Sequence, residues 1–420
     1  MQNIKNGFDN NLVAGIDIGS ENIFCSIGYF IPETSKIKLL GLGKTSVKDS
    51  FNKGSITNRN QLIEQLESAI NEAEIMSGKK INSAYMSLTG DHIRCMNTQS
   101  AIALNRNKKN GVIDNNSISQ KDINRVLELT QGIALPPDRD ILHTIPQEFI
   151  VDTLEKIDNP IGLSGRRLEG HVHLVTAATT AMKNLVETAE EIGISINGLV
   201  FKPLAAAAST LTKDEIKLGV SIIDIGSTTT NIAIFNDGAV QHSAVIPIGS
   251  SSITNDIAVM LRVSIEKAEE IKIKYASAMA SLSSEKLDFE YDTEDNSQTL
   301  SENELSKYVE ARMEEIFQLA KNEINRAGIN NTLTYGVVLT GGGSQLRNII
   351  PLAKELLDMP IRLGKPVINI QGNQDFADSP IHSTLLGLLL WPFYSKEQKT
   401  SQLINLPWIE NIKQAIKKFF

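Results

Sequence analysis

Two short stretches of the chain, 207 positions apart (224 minus 17), place an aspartate two residues before a glycine-serine pair. The first runs from Asp17 to Ser20 and the second from Asp224 to Ser227. Each lies between two apolar runs, so each predicts a β-hairpin whose turn exposes backbone N–H groups with little side-chain bulk. Such turns attract phosphate oxygens. Because a carboxylate repels a phosphate, a cation such as Mg²⁺ is expected between them.

A single aspartate–glycine hairpin is most often an ordinary turn. Two copies with matching apolar flanks favour a different interpretation, in which one hairpin from each half of the chain grips one polyphosphate from both sides. Asp17 and Asp224 are predicted to hold Mg²⁺, largely through water molecules. The hairpin residues predicted to contact the bound molecule are Gly19, Ser20, Glu21, Asn22, Gly226, Ser227, Thr228 and Thr229.

Two further motifs are compatible with a nucleotide. Gly341, Gly342 and Gly343 follow an apolar strand and allow a planar group to approach the backbone closely, whereas a plain strand-to-helix turn needs only one glycine. Glu269 and Lys272 lie three residues apart on one face of a predicted helix. Such a pair is usually a solvated salt bridge, but in a nucleotide cleft it would hold the ribose and base.

Composition limits the classes of fold and partner. The 420 residues carry a formal net charge of −8, which disfavours nucleic acid as a partner because phosphate neutralisation needs clustered lysine and arginine. The length and the long-range repeat favour two related domains that face each other. Strand patterns alternate with helical patterns, which predicts a mixed α/β architecture. Residues 1–11 lack the apolar core of a signal peptide, so a cytosolic protein is expected.

The order and spacing of the two hairpins and the triple glycine resemble the actin, sugar-kinase and Hsp70 ATPase superfamily. Within it, residues 159–175, 217–235 and 245–258 closely resemble the bacterial cell-division family FtsA. The resemblance implies an α/β, actin-like two-lobed fold of duplicated ribonuclease-H-like domains, with a small α/β subdomain inserted in the first lobe. It also implies that ATP and Mg²⁺ bind between the lobes.

This resemblance and the changes in sequence texture together predict a division of the chain into six parts. The parts are a first-lobe core of residues 1–82, 165–195 and 370–394, an inserted subdomain of residues 83–164, a second-lobe core of residues 196–255 and 317–369, an outer second-lobe subdomain of residues 256–316, a linker of residues 395–405 and a terminal helix of residues 406–420.

Residues 406–420 alternate apolar and polar side chains at helical spacing. Lysines lie opposite an aromatic and aliphatic face, which is typical of a helix in a membrane interface near anionic headgroups. A terminal helix packed on its own domain is the alternative, and the polar linker and the terminal Phe-Phe pair argue against it. The residues predicted to bind the membrane are Trp408, Ile409, Ile412, Ile416, Lys417, Phe419 and Phe420.

The resemblance further implies a peripheral protein that polymerises on the cytoplasmic side of the inner membrane at the division site. It would self-associate into filaments, tether the tail of the tubulin-like FtsZ to anionic lipids, and recruit other division proteins through the inserted subdomain. Arg312 is the candidate contact for the acidic FtsZ tail, although an arginine on a helix surface is more often only solvated.

Lys202 departs from the superfamily pattern. In Hsp70-like relatives a glutamate that acts on the attacking water precedes the Pro-x-Ala-Ala motif, and here Lys202 takes its place. A protonated lysine cannot serve as that base, so slow or negligible hydrolysis is expected; the lysine would instead pair with phosphate or an acidic neighbour. A PilM-type pilus adaptor and a small-molecule kinase remain the alternative functions. A chaperone is disfavoured because too few residues follow the second lobe for a peptide-binding domain.

Overall fold

The computed structural model describes residues 12–31, 36–47, 49–104, 117–284, 288–292, 297–329, 332–367, 370–371 and 378–397. Within these ranges no helix is both long and apolar enough to cross a bilayer. The linker beyond Glu397 and the terminal helix lie outside the described residues.

The strands are β1 (Leu12–Ile18), β2 (Asn22–Ile31), β3 (Lys36–Ser46), β4 (Phe51–Asn52), β5 (Ser55–Ile56), β6 (Ser83–Leu88), β7 (Arg94–Ala103), β8 (Arg139–Val151), β9 (Leu154–Ile157), β10 (Arg167–Ala178), β11 (Ser195–Phe201), β12 (Val220–Ile225), β13 (Thr230–Asn236), β14 (Ala239–Ile246), β15 (Asp288–Asp292), β16 (Ser297–Ser301), β17 (Val337–Thr340), β18 (Ile361–Leu363) and β19 (Ile370–Gln371). The α-helices are α1 (Arg59–Ser77), α2 (Gln120–Thr130), α3 (Thr179–Glu191), α4 (Lys202–Thr210), α5 (Lys213–Leu218), α6 (Ser250–Leu261), α7 (Ile265–Tyr275), α8 (Glu302–Arg326), α9 (Ile349–Leu357) and α10 (Ser383–Glu397).

The two lobes are built on the same sheet pattern. The first sheet has the strand order β11-β6-β1-β2-β3-β19, and the second has the order β14-β13-β12-β17-β18. In each sheet the strand before the hairpin pairs antiparallel with the strand after it and parallel with a later strand. Asp17 lies opposite Phe24, and Asp224 lies opposite Asn231. The duplication in the sequence is therefore a duplication of strand register.

A separate four-stranded sheet with the order β7-β10-β8-β9 forms the inserted subdomain, and α2 packs on it. Ser119 caps α2 and shares a capping box with Asp122. The apolar face of the helix, including Ile123 and Val126, meets Phe149 of β8 in an apolar cluster of its own. The predicted inserted α/β subdomain therefore exists as a compact unit.

Three strands lie in a different unit from the one that the sequence predicted. β6 and β11 belong to the first-lobe sheet, where β6 lies between β1 and β11. Residues 83–88 had been assigned to the inserted subdomain and residues 196–201 to the second lobe. β10, assigned to the first-lobe core, lies between β7 and β8 in the inserted sheet. Strands that pair in a sheet can be far apart in the chain. Composition along the chain therefore does not show which strands pair.

The predicted outer subdomain shares its core with the second-lobe sheet. Ile271 of α7, Phe289 of β15 and Leu305 of α8 belong to one apolar cluster with Ile223 and Ile232 of the sheet. The polar composition of residues 275–303 is typical of a surface segment, but Phe289 is 4% exposed and belongs to this core. Apolar and polar residues alternate in the β15–β16 hairpin. Its apolar side chains can therefore be buried although most of its residues are polar.

α4 and α10 cross where α4 packs against strands of both lobe sheets. A side chain on Gly387 would bring its Cβ within 1.7 Å of the Ala205 carbonyl oxygen, so this crossing needs glycine. α10 buries Leu385, Leu388 and Leu389. It extends to Glu397, three residues into the segment predicted as linker, residues 395–405. α4 is thereby held with its first residue, Lys202, at the cleft.

Candidate nucleotide-binding site

The two predicted hairpins have the same turn geometry and meet at their tips. The Gly19 N–H donates to the Asn22 carbonyl at 3.0 Å, and the Gly226 N–H donates to the Thr229 carbonyl at 2.9 Å. The Ser20 and Thr228 hydroxyls, one from each lobe, are 2.7 Å apart. Backbone turns and hydroxyl donors from both lobes therefore converge at one place, which is the arrangement that gripping a polyphosphate requires.

A second polar contact joins the lobes beneath the hairpins. The Thr89 hydroxyl, which follows β6 of the first lobe, donates to the Asn231 side-chain oxygen of the second lobe. The Asn231 amide in turn donates to the Asp224 carboxylate at 3.3 Å. Asn231 is fully buried. Sequence analysis missed both Thr89 and Asn231, although a polar residue seven positions after Asp224, where the first copy has Phe24, was a detectable signal.

α6 supports the second hairpin from below. The Ser250 N–H donates to the Gly226 carbonyl at 2.9 Å, and the Ser251 N–H donates to the Ser227 carbonyl at 2.8 Å. A Cβ on Gly249 would lie 2.4 Å from the Ser227 carbonyl oxygen, so glycine is needed where the helix approaches the turn. The turn is thereby fixed before any ligand arrives.

The two predicted metal-binding carboxylates are both buried at the base of the hairpins. Asp17 is 5% exposed and Asp224 is 3% exposed. One oxygen of Asp17 accepts the Ser87 hydroxyl at 2.6 Å and lies 3.1 Å from the Lys202 ammonium. Sequence analysis missed Ser87, since nothing in the sequence reports that β6 lies beside β1. Lys202 does pair with an acidic neighbour, one of the two outcomes expected for it.

The charges of these groups are coupled. Burial raises the pKa of Asp224, the Lys202 ammonium lowers it, and the Asp17 carboxylate raises it, with a net result above the ordinary value. Burial by itself lowers the pKa of Lys202, but the two carboxylates outweigh burial and the pKa stays above its ordinary value. Lys202 is therefore a permanent cation at neutral pH and cannot accept a proton from water.

Glu269 and Lys272 form a half-buried network, in which Lys272 is buried and Glu269 is partly exposed. Their side chains are 2.6 Å apart, and Lys272 is 8% exposed. The Thr254 hydroxyl bridges them, receiving a hydrogen bond from the ammonium at 2.9 Å and donating to the carboxylate at 2.5 Å. The pKa of Glu21 is raised, first by burial and next by the charge of Glu269. Glu269 is therefore near enough to the first hairpin for its charge to act on Glu21.

The three glycines have different roles. A Cβ on Gly341 would lie 2.3 Å from an Asp224 carboxylate oxygen, and one on Gly343 would lie 2.4 Å from the Ile225 side chain. Gly341 also has a positive φ of 82°, which favours glycine. Both glycines thus serve packing against β12. Gly342 alone of the three is exposed, and a Cβ added there would come no nearer than 4.0 Å to a carbon of Ile381.

Arg312 lies in a different place, on the surface between α8 and α6. Its guanidinium donates to both carboxylate oxygens of Asp256, at 2.7 and 3.0 Å, and also pairs with Glu315. The hydrogen bond that Arg312 donates to Asp256 is the main reason that the pKa of Arg312 is raised. A groove of about 870 Å³ is lined there by Asp256, Val259, Met260, Glu304, Lys307, Tyr308, Ala311, Arg312 and Glu315.

The seven predicted membrane-binding residues of the terminal helix lie outside the described residues, so the structure places none of them. They are Trp408, Ile409, Ile412, Ile416, Lys417, Phe419 and Phe420.

Comparison with solved structures confirms the predicted actin-like fold. The PilM–PilN type IV pilus biogenesis complex superimposes with a TM-score of 0.67 at 15% identity, covering 90% of this chain and 98% of that one. MreB 5 of Spiroplasma citri, solved bound to AMPPNP, superimposes with a TM-score of 0.55 at 14% identity, covering 92% and 97%. Identities this low show the fold alone.

Comparison of sequences gives the family. A family model described as "Cell division protein FtsA" matches residues 221–387, and one described as "SHS2 domain inserted in FTSA" matches residues 90–176. The cell division protein FtsA of Pseudomonas aeruginosa is 35% identical over 407 residues, which cover 96% of this chain and 94% of that protein. With a relative this similar along nearly the whole of both chains, this chain belongs to the FtsA family of cell-division proteins.

Proposed function

We propose that the chain is an ATP-binding, actin-like cell-division protein that polymerises on the cytoplasmic face of the inner membrane. There it tethers FtsZ filaments to the lipid and recruits later division proteins. Membership of the FtsA family supports the role in division. The observation that carries the ATP-binding part is the meeting of the two hairpins, with Ser20 and Thr228 2.7 Å apart above the carboxylates of Asp17 and Asp224.

In this proposal ATP lies between the lobes. Gly19–Asn22 and Gly226–Thr229, the two hairpin turns, hold the phosphates through their N–H groups and hydroxyls. Gly342 lies under the adenine or ribose, and the Glu269–Lys272 pair contacts the sugar and base. Asp17 and Asp224 are oxygen donors of the kind that Mg²⁺ prefers, and they would hold the ion through water. When bound, Mg²⁺ supplies positive charge against the phosphates.

Gly342→Leu is expected to weaken ATP binding about tenfold, because the added side chain fills space that the nucleotide would occupy. The stability of the fold should change little, since a Cβ at this position meets no atom closer than 4.0 Å. Titration calorimetry with ATP measures the first effect and urea unfolding the second. ATP affinity equal to that of the unsubstituted chain would contradict the proposed site.

Hydrolysis is proposed to be slow or negligible, because the residue at the position of the water-activating glutamate is Lys202, which is charged and paired with Asp17. Nucleotide would then act as an assembly ligand whose binding favours one conformation. Phosphate release from ATP in the presence of anionic liposomes is expected to stay near the background rate. Rapid release by purified chain would overturn this part of the proposal.

The FtsZ tail is proposed to bind in the groove beside Arg312. The exposed Val259 and Tyr308 offer apolar contacts, and Lys307 and Arg312 offer positive charge to an acidic peptide. An incoming carboxylate would take over the guanidinium from Asp256.

Arg312→Ala is expected to weaken binding of an FtsZ C-terminal peptide about tenfold, through loss of a charged hydrogen bond. Fluorescence anisotropy with a labelled peptide measures the affinity. Arg326→Ala is the matched control, because Arg326 lies on the same helix and also pairs with a neighbouring glutamate, Glu323. Equal affinities for the two variants would argue against this groove.

The terminal segment, residues 406–420, is proposed to anchor the protein to anionic lipid. The intact chain should co-sediment with anionic liposomes, and a chain truncated after Ser401 should remain in the supernatant. Ile416→Asp should abolish sedimentation because it places a charge on the apolar face, whereas Gln414→Asp, on the polar face, should retain most of it. Sedimentation of the truncated chain would refute the anchor.

A further inference from the structure

Lys202 is held in a fixed position by its place in the chain. β11 ends at Phe201, and α4 begins at Lys202 without an intervening loop. The Phe201 N–H donates to the His143 ring at 2.9 Å, and Pro203 occupies the first turn of the helix. The Lys202 side chain is 12% exposed. The ammonium is therefore delivered to the cleft by two packed elements rather than by a mobile loop.

The Lys202 ammonium contacts the carboxylate of the first lobe and also feels the charge of the carboxylate of the second lobe. The Nζ atom lies 3.1 Å from the Asp17 carboxylate, and the charges that act on Lys202 are those of Asp17 and Asp224. Conversely, the charges that act on Asp224 are those of Lys202 and Asp17. The three groups form one charge cluster with a sum of −1, whereas the two carboxylates alone would sum to −2.

This cluster changes what a nucleotide meets on entering the cleft. Two buried carboxylates without a partner would repel a triphosphate strongly, and only a bound cation could offset that repulsion. Here a covalently attached cation already lies beside them. Asp17 and Asp224, the two carboxylates predicted to hold Mg²⁺, therefore already share a positive charge.

We propose that Lys202 is a built-in cation of the cleft, which lets this chain bind a nucleoside triphosphate with little dependence on Mg²⁺. The ammonium offsets the charge of Asp17 and Asp224 when Mg²⁺ is scarce. The inference rests on the proposed ATP site. It goes beyond the proposed ATP site because it attributes the weak dependence of ATP binding on Mg²⁺ to one residue, Lys202.

ATP titrations of the unsubstituted chain, in buffer with Mg²⁺ and in buffer with EDTA, test the inference directly. The dissociation constant is expected to rise by less than about threefold on removal of Mg²⁺. A rise of more than about tenfold would overturn the inference while leaving the ATP site intact. Failure to bind ATP in both buffers would overturn the ATP site itself, and with it this inference.

The variants Lys202→Gln and Lys202→Arg test whether the positive charge of Lys202 causes the weak dependence of ATP binding on Mg²⁺. With glutamine, removal of Mg²⁺ should weaken ATP binding more than about tenfold; with arginine, the weak dependence of the unsubstituted chain should return. Lys183→Gln, which removes an exposed lysine of α3, is the matched control. Urea unfolding establishes that the Lys202 variants fold. A folded Lys202→Gln variant with the Mg²⁺ dependence of the unsubstituted chain would overturn the inference.

Discussion

The structure depends on burying two carboxylates, each negatively charged, in one cleft. Asp17 and Asp224 end equivalent strands of the two lobes, and both are almost fully buried. Burial of unpaired carboxylates would cost several kcal/mol for each ion. Ser87, Asn231 and Lys202 supply the hydrogen bonds and the positive charge that make the arrangement stable.

The burial of these carboxylates also explains why the lobes meet as they do. Ser20 contacts Thr228, and Thr89 contacts Asn231, which itself bonds to Asp224, so two of the polar contacts between the lobes lie close to the carboxylates. The crossing of α4 and α10 lies where α4 packs against both lobe sheets and fixes the start of α4. A ligand that binds the hairpins would therefore act on both lobes at once, which suits a nucleotide that controls assembly.

The inserted subdomain is linked to this arrangement through the second lobe. His173 of β10 bonds with the Ser243 hydroxyl of β14 at 2.7 Å, and Gln147 of β8 donates to the Val240 carbonyl at 2.8 Å. Burial lowers the pKa of His173 to about 3, so the ring is neutral at this contact. β14 follows β13 in the chain and pairs with it, and β13 begins at the second hairpin turn. β14 therefore connects the cleft with the inserted subdomain.

The sequence predicted the features that repeat and missed those that depend on distant contacts. The duplicated hairpins and the fold could be predicted, because each follows from local pattern or from the family resemblance. The pairing partners of β6, β10 and β11, and the roles of Ser87 and Thr89, could not, because strand order brings them together from far apart in the chain. The pairing of Lys202 with an acidic group was one of the two outcomes that the sequence left open. Gly341 and Gly343 remain predicted ligand contacts, and the closeness of Asp224 and Ile225 on β12 is a second reason for glycine at both positions.

Hydrogen–deuterium exchange with and without ATP tests most directly whether both hairpins close on one nucleotide. If both hairpins close on one nucleotide, the backbone amides of residues 19–22 and those of residues 226–229 should both exchange more slowly at the same ATP concentration. Slower exchange in only one hairpin, or in neither while ATP is bound, would contradict closure on one nucleotide.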